Sequence, residues 1–366
     1  MKVLEAGHAV VTDLGRFEGP ALGFSVNGAL DQASAKLANI LVGNPESAPL
    51  IEITASLLTV RLDRRAVVAV TGAPVELRVD GQPHPALTPL SLPAGAEIAI
   101  TITGPGLRSY LAVHGSVEVP TLLGSVAPDS MIGFGTRLVA GADLPQLVEA
   151  PALGNPHLRV PLIHLGLRGP AVPSEPVIDV TDGPDREEFG ASAEKLFAAP
   201  FTVDPRSNHV GLRLTGATPQ RETASEVLSR GVPVGAVEVP SDSQLLVLHR
   251  GRGVTAGYPV LAVLTTGALD LMAQVRPGQT VRFRRVSVAR ARDEHRRREL
   301  ALGHARDRVQ TALVEHGLEL PGRTATDPAR TGLGVASDSG AFDGAELTTD
   351  FDFASDTAAR VGAHRA

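Results

Sequence analysis

The sequence predicts a mainly β protein of about two domains, with short helices and a polar C-terminal extension. Three observations carry that prediction. The 366 residues are 43% apolar, enough for two cores of ordinary size. They include 38 glycines and 28 prolines, a share that favours many turns and short strands over long helices. Apolar residues also recur at period two between glycine turns, a spacing that suits barrels or sandwiches.

The elements follow in order. A helix is expected from near Asp31 to Gly43, with Leu37, Ile40 and Leu41 turned inward. Val67 to Val70 is a continuous apolar run and reads as a strand buried on both faces. Val75, Leu77 and Val79 alternate with Glu76, Arg78 and Asp80, and Asp80-Gly81 supplies a tight hairpin turn. Ile98, Ile100 and Ile102 repeat the alternation, and Tyr110 to Val113 forms another apolar strand. A second short helix is expected from Asp185 to Ala198, and Leu245 to Leu248 reads as a buried strand. Leu92 to Ile100 and Val275 to Phe283 share an apolar residue, a glycine turn and an alternating strand, a weak echo between the halves. The resulting division is an N-terminal β domain over 1–150, a proline-rich connection over 151–176 and a C-terminal β domain over 177–290. A charged, solvated helical extension follows over 291–320. Residues 321–366 carry too little apolar area to offset ordering entropy and are expected to be disordered.

Composition excludes several classes. No run of 18 apolar residues exists, so no helix spans a bilayer, and Met1 to His8 lacks the apolar stretch of a signal peptide. A cytoplasmic enzyme, or one component of an enzyme complex, is the expectation. Cysteine is absent, which removes disulfides, thiolate nucleophiles and Cys-ligated zinc. None of the three lysines, Lys2, Lys36 and Lys195, follows a glycine, so there is no Walker A loop. A net charge of −6 with no Trp and 2 Tyr argues against a nucleic-acid groove. The 11 histidines show no metal-binding spacing, so no metal site is expected. His114, Gly133-Phe134-Gly135 and Ser192-Ala193-Glu194-Lys195 read as structural residues, a loop and an exposed helix face.

Two loops carry dense chemistry. The first holds Asp13, Gly15 and Arg16, then Asn27, Gly28 and Asp31 before the first helix. Helix-start N–H groups and the planar fork of Arg16 suit a carboxylate or phosphate. Equally, Asp13 and Arg16 would brace the turn and Asp31 would be an ordinary N-cap; both readings stand on the sequence. The second is Arg250 to Pro259, where Arg252, Thr255, the Gly257 backbone and Tyr258 offer positive charge, hydroxyls and close backbone approach.

The same loops carry a resemblance. Asp13-Leu14-Gly15-Arg16, Gly28-Ala29-Leu30-Asp31, Leu37 to Pro45 and Ile51-Glu52-Ile53-Thr54 are followed in order by Tyr110-Leu111-Ala112-Val113, Leu123-Gly124-Ser125, Gly231 to Val237 and Thr255 to Pro259. This order resembles the biotin-dependent carboxyltransferase family, which includes the C subunit of 5-oxoprolinase, allophanate-hydrolase-like second subunits and the carboxyltransferase domain of urea carboxylase. The resemblance implies two cyclophilin-like β-barrel domains with a site in the cleft between them. It implies a subunit-B-like partner, and in 5-oxoprolinase also a subunit-A-like one, with ATP and Mg²⁺ acting through the complex to open a small lactam. Under it, Arg252, Thr255, Tyr258 and Asp13 are the catalytic candidates, and Arg16, Asn27, Gly28, Asp31 and Gly257 bind the anionic substrate.

The chain departs from the family pattern at several polar positions: Thr12 for Gln, Val126 for Arg, Glu238 for Gln, Gly251 for Asp and Val260 for Lys, with His209 inside an altered Ser-Asn-Arg-Met-Gly-Tyr element. The resemblance therefore leaves two further readings. One is carboxyl transfer from biotin, carried on another protein, to a urea-like amide. The other is a non-catalytic regulatory partner of a subunit-B-like or kinase-inhibitor-like protein.

Overall fold

Alternating strands must bury their apolar faces, and this chain does so around two separate β cores. The structure, a computed structural model, describes residues 1–153, 166, 167, 169, 172–222, 226–241 and 244–320. Most of the expected proline-rich connection and all of the 321–366 tail lie outside the described residues.

The N-terminal half contains β1 (Lys2–Ala6), β2 (Ala9–Thr12), α1 (Gln32–Leu41), β3 (Leu50–Thr54), β4 (Leu57–Arg61), β5 (Ala66–Gly72) and β6 (Val75–Val79). It continues with β7 (Gln82–His84), β8 (Leu90–Leu92), β9 (Glu97–Ile102), β10 (Arg108–Val113) and β11 (Thr136–Arg137). The strands form a five-stranded sheet, β1-β4-β9-β6-β7, and a six-stranded sheet, β11-β2-β3-β10-β5-β8. The two sheets share one core, in which Val60, Leu77 and Ile98 meet Val11, Ile53, Val68 and Leu111. The other face of the six-stranded sheet, carrying Val67, Ala69, Tyr110 and Ala112, packs on α1. Burial on both faces explains the unbroken apolar run at Val67 to Val70. The β6–β7 hairpin turns at Asp80 (φ 50°) and Gly81 (φ 78°), the two left-handed residues that a two-residue hairpin requires.

The C-terminal half contains β12 (Val177–Asp182), α2 (Lys195–Ala198), β13 (Phe201–Val203), β14 (Gly211–Thr215), β15 (Arg230–Gly231), β16 (Ala236–Ser241) and β17 (Gln244–Leu248). After these come β18 (Thr255–Ala256), β19 (Val260–Leu264), α3 (Thr266–Ala273), β20 (Thr280–Arg285) and α4 (Val288–Glu315). Seven strands close into a barrel, β12-β19-β16-β17-β14-β13-β20, and β15 and β18 form a separate two-stranded sheet. Ile178, Val237, Val247, Leu261 and Phe283 fill the barrel, with Phe201 edge-on to Phe283 at 5.7 Å. The fold is thus mainly β and barrel-rich, with the strands of the N-terminal half wrapped as two facing sheets.

Three details differ from the sequence reading. The second helix is a 3₁₀ segment over Arg186–Glu194 broken at Gly190 (φ 46°, ψ −132°), with only Lys195–Ala198 α-helical. A helix not anticipated, α3, starts at the Thr265 N-cap, whose side chain accepts from Ala268 N. The 28-residue α4 is not a purely solvated extension: Leu302, Ala305, Val309 and Leu313 are buried on one face, in the cluster that also holds Leu37, Ile40 and Leu41 of α1. Gly43 (φ 72°) permits this packing, since a Cβ there would collide with the Leu320 side chain. Lys36 pairs with Glu299 at 3.1 Å and Arg306 with Glu46 at 2.6 Å, so α4 leaves the barrel and is fastened to the opposite half. The glycine turns of the echo recur locally at Gly95 and Gly278. The following strands pair differently, β9 with β4 and β6, β20 in parallel with β12.

Candidate functional site

The two chemically dense loops meet between the halves. Ser25 Oγ donates to Arg252 O at 2.7 Å, across 227 positions of sequence, and Asn27 N donates to Arg250 O at 2.8 Å. The first loop can approach because it folds tightly on itself. Arg16 N donates to Val26 O and Ala29 N to Asp13 O, and Gly15 (φ 108°) and Gly28 (φ 89°) sit where the two passes touch. A Cβ on Gly28 would lie 2.5 Å from the Leu14 carbonyl carbon, so only glycine fits.

Asp13 and Arg16 do not pair with each other; each fixes the 122–134 loop. Both carboxylate oxygens of Asp13 are engaged, Oδ1 by Gly15 N and Ser125 Oγ at 2.7 Å, Oδ2 by Val126 N at 2.9 Å. Arg16 is 1% exposed. Its Nη2 donates to Ala127 O at 2.6 Å, its Nη1 lies 3.7 Å from Asp129 Oδ2, and its guanidinium covers the Phe134 ring at 5.5 Å. Asn27 Nδ2 donates to Asp129 Oδ2 at 2.9 Å. These contacts give Asp13, Arg16 and Asn27 the bracing role, with the exposed apolar side chains of Phe17, Leu22, Met131 and Ile132 on the loops they hold.

Asp31 caps α1, accepting from Ser34 N at 3.0 Å and Ser34 Oγ at 2.7 Å, and it also reaches the second half. Gln274 Nε2 donates to Asp31 Oδ2 at 2.6 Å and to Arg108 O at 3.0 Å, while Gln274 Oε1 accepts from Leu107 N and Arg108 N at 2.9 Å each. Behind them Tyr110 Oη donates to Glu52 Oε2 at 2.8 Å and accepts from Asp31 N at 3.0 Å, and Arg108 Nε lies 3.4 Å from Glu52 Oε1. Burial and the charges of Glu52 and Asp31 push the Tyr110 phenol pKa well up, so Tyr110 remains a donor. Asp270 accepts from Gln32 N at 3.0 Å and faces Arg298 at 3.5 Å. Burial and the nearby Asp31 charge push its carboxyl up to about 7.

The second loop supplies the cations. His249 Nδ1 accepts from Arg250 N at 2.9 Å, so its proton resides on Nε2, which faces Leu269 O at 3.2 Å. Burial and the Arg250 and Arg108 cations hold it well below the ordinary histidine range, and hence neutral. Arg252 is 7% exposed, and its Nε and Nη1 have no hydrogen-bond partner among the described residues; Arg250 Nε is in the same position. Burial lowers both guanidinium pKa values. A buried cation with free donors is costly unless something pairs with it, so this loop is chemically suited to a carboxylate or phosphate. Gly251 has its own steric reason: a Cβ would fall 2.5 Å from His209 Cδ2 and 2.9 Å from His209 O. His209 Nε2 in turn meets Ser130 Oγ at 3.0 Å, bridging the halves. The altered residues His209 and Gly251 therefore belong to one contact.

Thr255, Gly257 and Tyr258 make no hydrogen bond to this junction among the described residues. Thr255 lies on the β15–β18 strand pair, opposite Gly231, and is exposed. Tyr258 is 46% exposed, and a Cβ on Gly257 would lie 3.1 Å from Val227 O. Their surroundings are thus the β15–β18 strand pair and its neighbours in the C-terminal half. No cluster of three or more His, Asp or Glu side chains among the described residues could hold a metal ion, and no described helix is long and apolar enough to cross a membrane. Sequence reasoning did not single out His209, His249, Gln274 or Asp270 as site residues. His114 is structural, with Nδ1 at 2.7 Å from Val42 O.

Comparison with known proteins places this arrangement. The family model for the carboxyltransferase domain, subdomain A and B, matches residues 22–285. The chain belongs to the carboxyltransferase-domain family. It is 34% identical over 298 residues to the 5-oxoprolinase C subunit of Escherichia coli, covering 80% of this chain and 93% of that protein. Urea amidolyase of Saccharomyces cerevisiae is 27% identical over 76% of this chain, which matches 16% of the much longer enzyme. The solved structure of TTHA0988 superposes with a TM-score of 0.68 at 33% identity, covering 77% of this chain and 55% of that one. The chain thus spans little more than half of that structural relative. Both loops fall within the family's matched range except for the residues before 22.

Proposed function

We propose that this carboxyltransferase-domain protein acts as the C subunit of an ATP-dependent 5-oxoprolinase-type assembly that opens 5-oxoproline or a similar small lactam. The observation that carries the reading is Arg252, buried at the junction of the two loops with its Nε and Nη1 nitrogens free among the described residues. It is supported by the kinship to the 5-oxoprolinase C subunit. A lactam carboxylate would pair with Arg252 through charge-assisted hydrogen bonds, and the neutral His249 and the fixed Arg250 backbone would hold the loop in position. Tyr258 and Thr255 would donate to the lactam carbonyl, as donors aimed at developing negative charge. Asp13, Arg16 and Asn27 act as positioning residues, keeping the 122–134 loop against the second half. ATP supplies activation of the unstrained amide when bound by the assembly. The chain carries no Gly-Lys-Ser/Thr loop, so subunit-A-like and subunit-B-like partners complete the nucleotide chemistry.

The kinship to urea amidolyase supports a second reading, transfer of a carboxyl group from biotin to a urea-like amide. Co-expression with the partner subunits followed by a 5-oxoproline-dependent ADP assay decides between them. ADP formation that is insensitive to avidin and lost in Arg252→Met is expected. Avidin-sensitive, bicarbonate-dependent turnover would favour the biotin reading, and tight complex formation without turnover on any lactam or amide would favour a regulatory partner.

A further inference from the structure

Among the described residues of the barrel, Glu238 is a buried acid with a carboxyl oxygen that no protein group satisfies. Glu238 sits on β16 opposite Leu246 of β17 and Val260 of β19. Directly opposed residues on antiparallel strands share a face. Ala236, Leu246, Leu248 and Val260 form an apolar cluster with Val232, next to β15, and Ala256 of β18, whereas Val237 and Val239 fill the barrel interior. Glu238 therefore lies on the barrel's outer face, on the side covered by the β15–β18 strand pair. It is 1% exposed, and its Oε1 has no hydrogen-bond partner among the described residues. Val239 N donates to Pro259 O at 3.1 Å, which ties the chain beside the half-exposed Tyr258 to the strand that carries Glu238.

Buried polar groups are nearly always satisfied, and an orphan calls for an explanation. The charged groups on the surrounding elements do not supply a partner among the described residues. Arg230 of β15 is paired with Asp185, and Asp185 accepts from Val260 N at 2.7 Å; Arg252 lies in the loop between β17 and β18. β16, β17 and β19 contribute no other charged residue among their described positions. Burial alone shifts Glu238, pushing it up to about 7, so near neutrality much of it is the uncharged acid. A neutral carboxyl presents an O–H donor beside a carbonyl acceptor. That edge is complementary to the adjacent C=O and N–H of a cis-amide, the geometry forced on every lactam.

We propose that Glu238 is the recognition group of an amide subsite beside the β15–β18 strand pair, pairing edge to edge with the N–H and C=O of a cis-amide. The inference rests on the lactam reading above and extends it: Glu238 reads the amide, and the arginine junction reads the anionic end. A glutamine at 238 would present the same donor and acceptor without titrating. A methionine would present neither.

The test is calorimetric titration of the full chain with 2-pyrrolidinone and with 5-oxoproline at about pH 6 and about pH 8.5, on either side of the Glu238 titration. Wild type is expected to bind 2-pyrrolidinone roughly tenfold or more weakly at the higher pH. Glu238→Gln is expected to bind it equally at both, and Glu238→Met to lose it at both while keeping the wild-type circular dichroism spectrum. Unchanged binding by Glu238→Met, or a wild-type affinity that does not respond to pH, overturns the subsite. If 5-oxoproline binds wild type and Glu238→Met equally well, the subsite falls and the lactam reading stands. If neither lactam binds the wild-type chain or its complex with the partner subunits, the lactam reading falls and the subsite with it.

Discussion

Replacing Gln274 with methionine tests whether the two halves are locked together at the candidate site. Gln274 bonds Leu107 N and Arg108 N through Oε1, and Asp31 Oδ2 and Arg108 O through Nε2. Methionine nearly matches the volume, so the packing cost is small. The main loss is two backbone N–H groups left without acceptors, each worth about 1–3 kcal/mol when buried. Leu107 N is only part-buried, which puts the expected total near 2–4 kcal/mol. At about 2–4 °C per kcal/mol for a unit of 150–250 residues, the Tm should fall by roughly 5–15 °C in differential scanning calorimetry. Gln82→Met is the control, since Gln82 is exposed on the edge strand β7 with no side-chain hydrogen bond among the described residues, and surface changes stay within about 0.5 kcal/mol. A Gln274→Met protein whose Tm stays within about 2 °C of wild type would show that the contact is not what joins the halves.

Three further outcomes are expected. Arg252→Met should abolish 5-oxoproline binding while leaving the Tm unchanged or raised, because it removes a buried cation with free donors; a lowered Tm with intact binding would assign Arg252 a structural role. Glu238 is held near 7 in the fold, above the carboxyl range of an unfolded chain. The stability it contributes is fully present below about pH 4.3 and is lost as pH rises through about 7, so the Tm of Glu238→Gln should gain on wild type from pH 5 to pH 8; parallel Tm curves would contradict this. Gly251→Ala should destabilise by about 1–3 kcal/mol through its contact with His209, with part of that restored in denaturant melts by adding His209→Ala. Full stability of Gly251→Ala alone would refute the steric account.

Much of the β framework was legible because its signals are local. Period-two alternation located β6 and β9, the unbroken apolar run located β5, and Asp31 and Gly43 marked the ends of α1. Short-range signals failed where tertiary context decides. α3 is eight residues embedded in apolar sequence, and Gly190 turns the expected second helix into a kinked 3₁₀ segment. The apolar stripe of α4, Leu302, Ala305, Val309 and Leu313, lay hidden among charges.

The site was legible in its loops but not in its roles. Glycine density identified the segments that meet at Ser25 and Arg252. Which polar side chains face a ligand and which face the protein depends on long-range partners: Asp13 is engaged by Ser125 and Val126, which nothing near Asp13 in sequence announces. Gln274, His209 and Tyr110 come from elements far apart in the chain and converge only in the fold. Glu238 reads as one charge among strand residues until its burial is known.

The arginine junction as an anion site is tested most directly by a crystal structure of the chain soaked with 5-oxoproline. The expected result is the ligand carboxylate within hydrogen-bond distance of Arg252 Nε and Nη1, between the 25–27 and 250–252 segments. Ligand density elsewhere, with those two nitrogens turned onto protein acceptors, would contradict it.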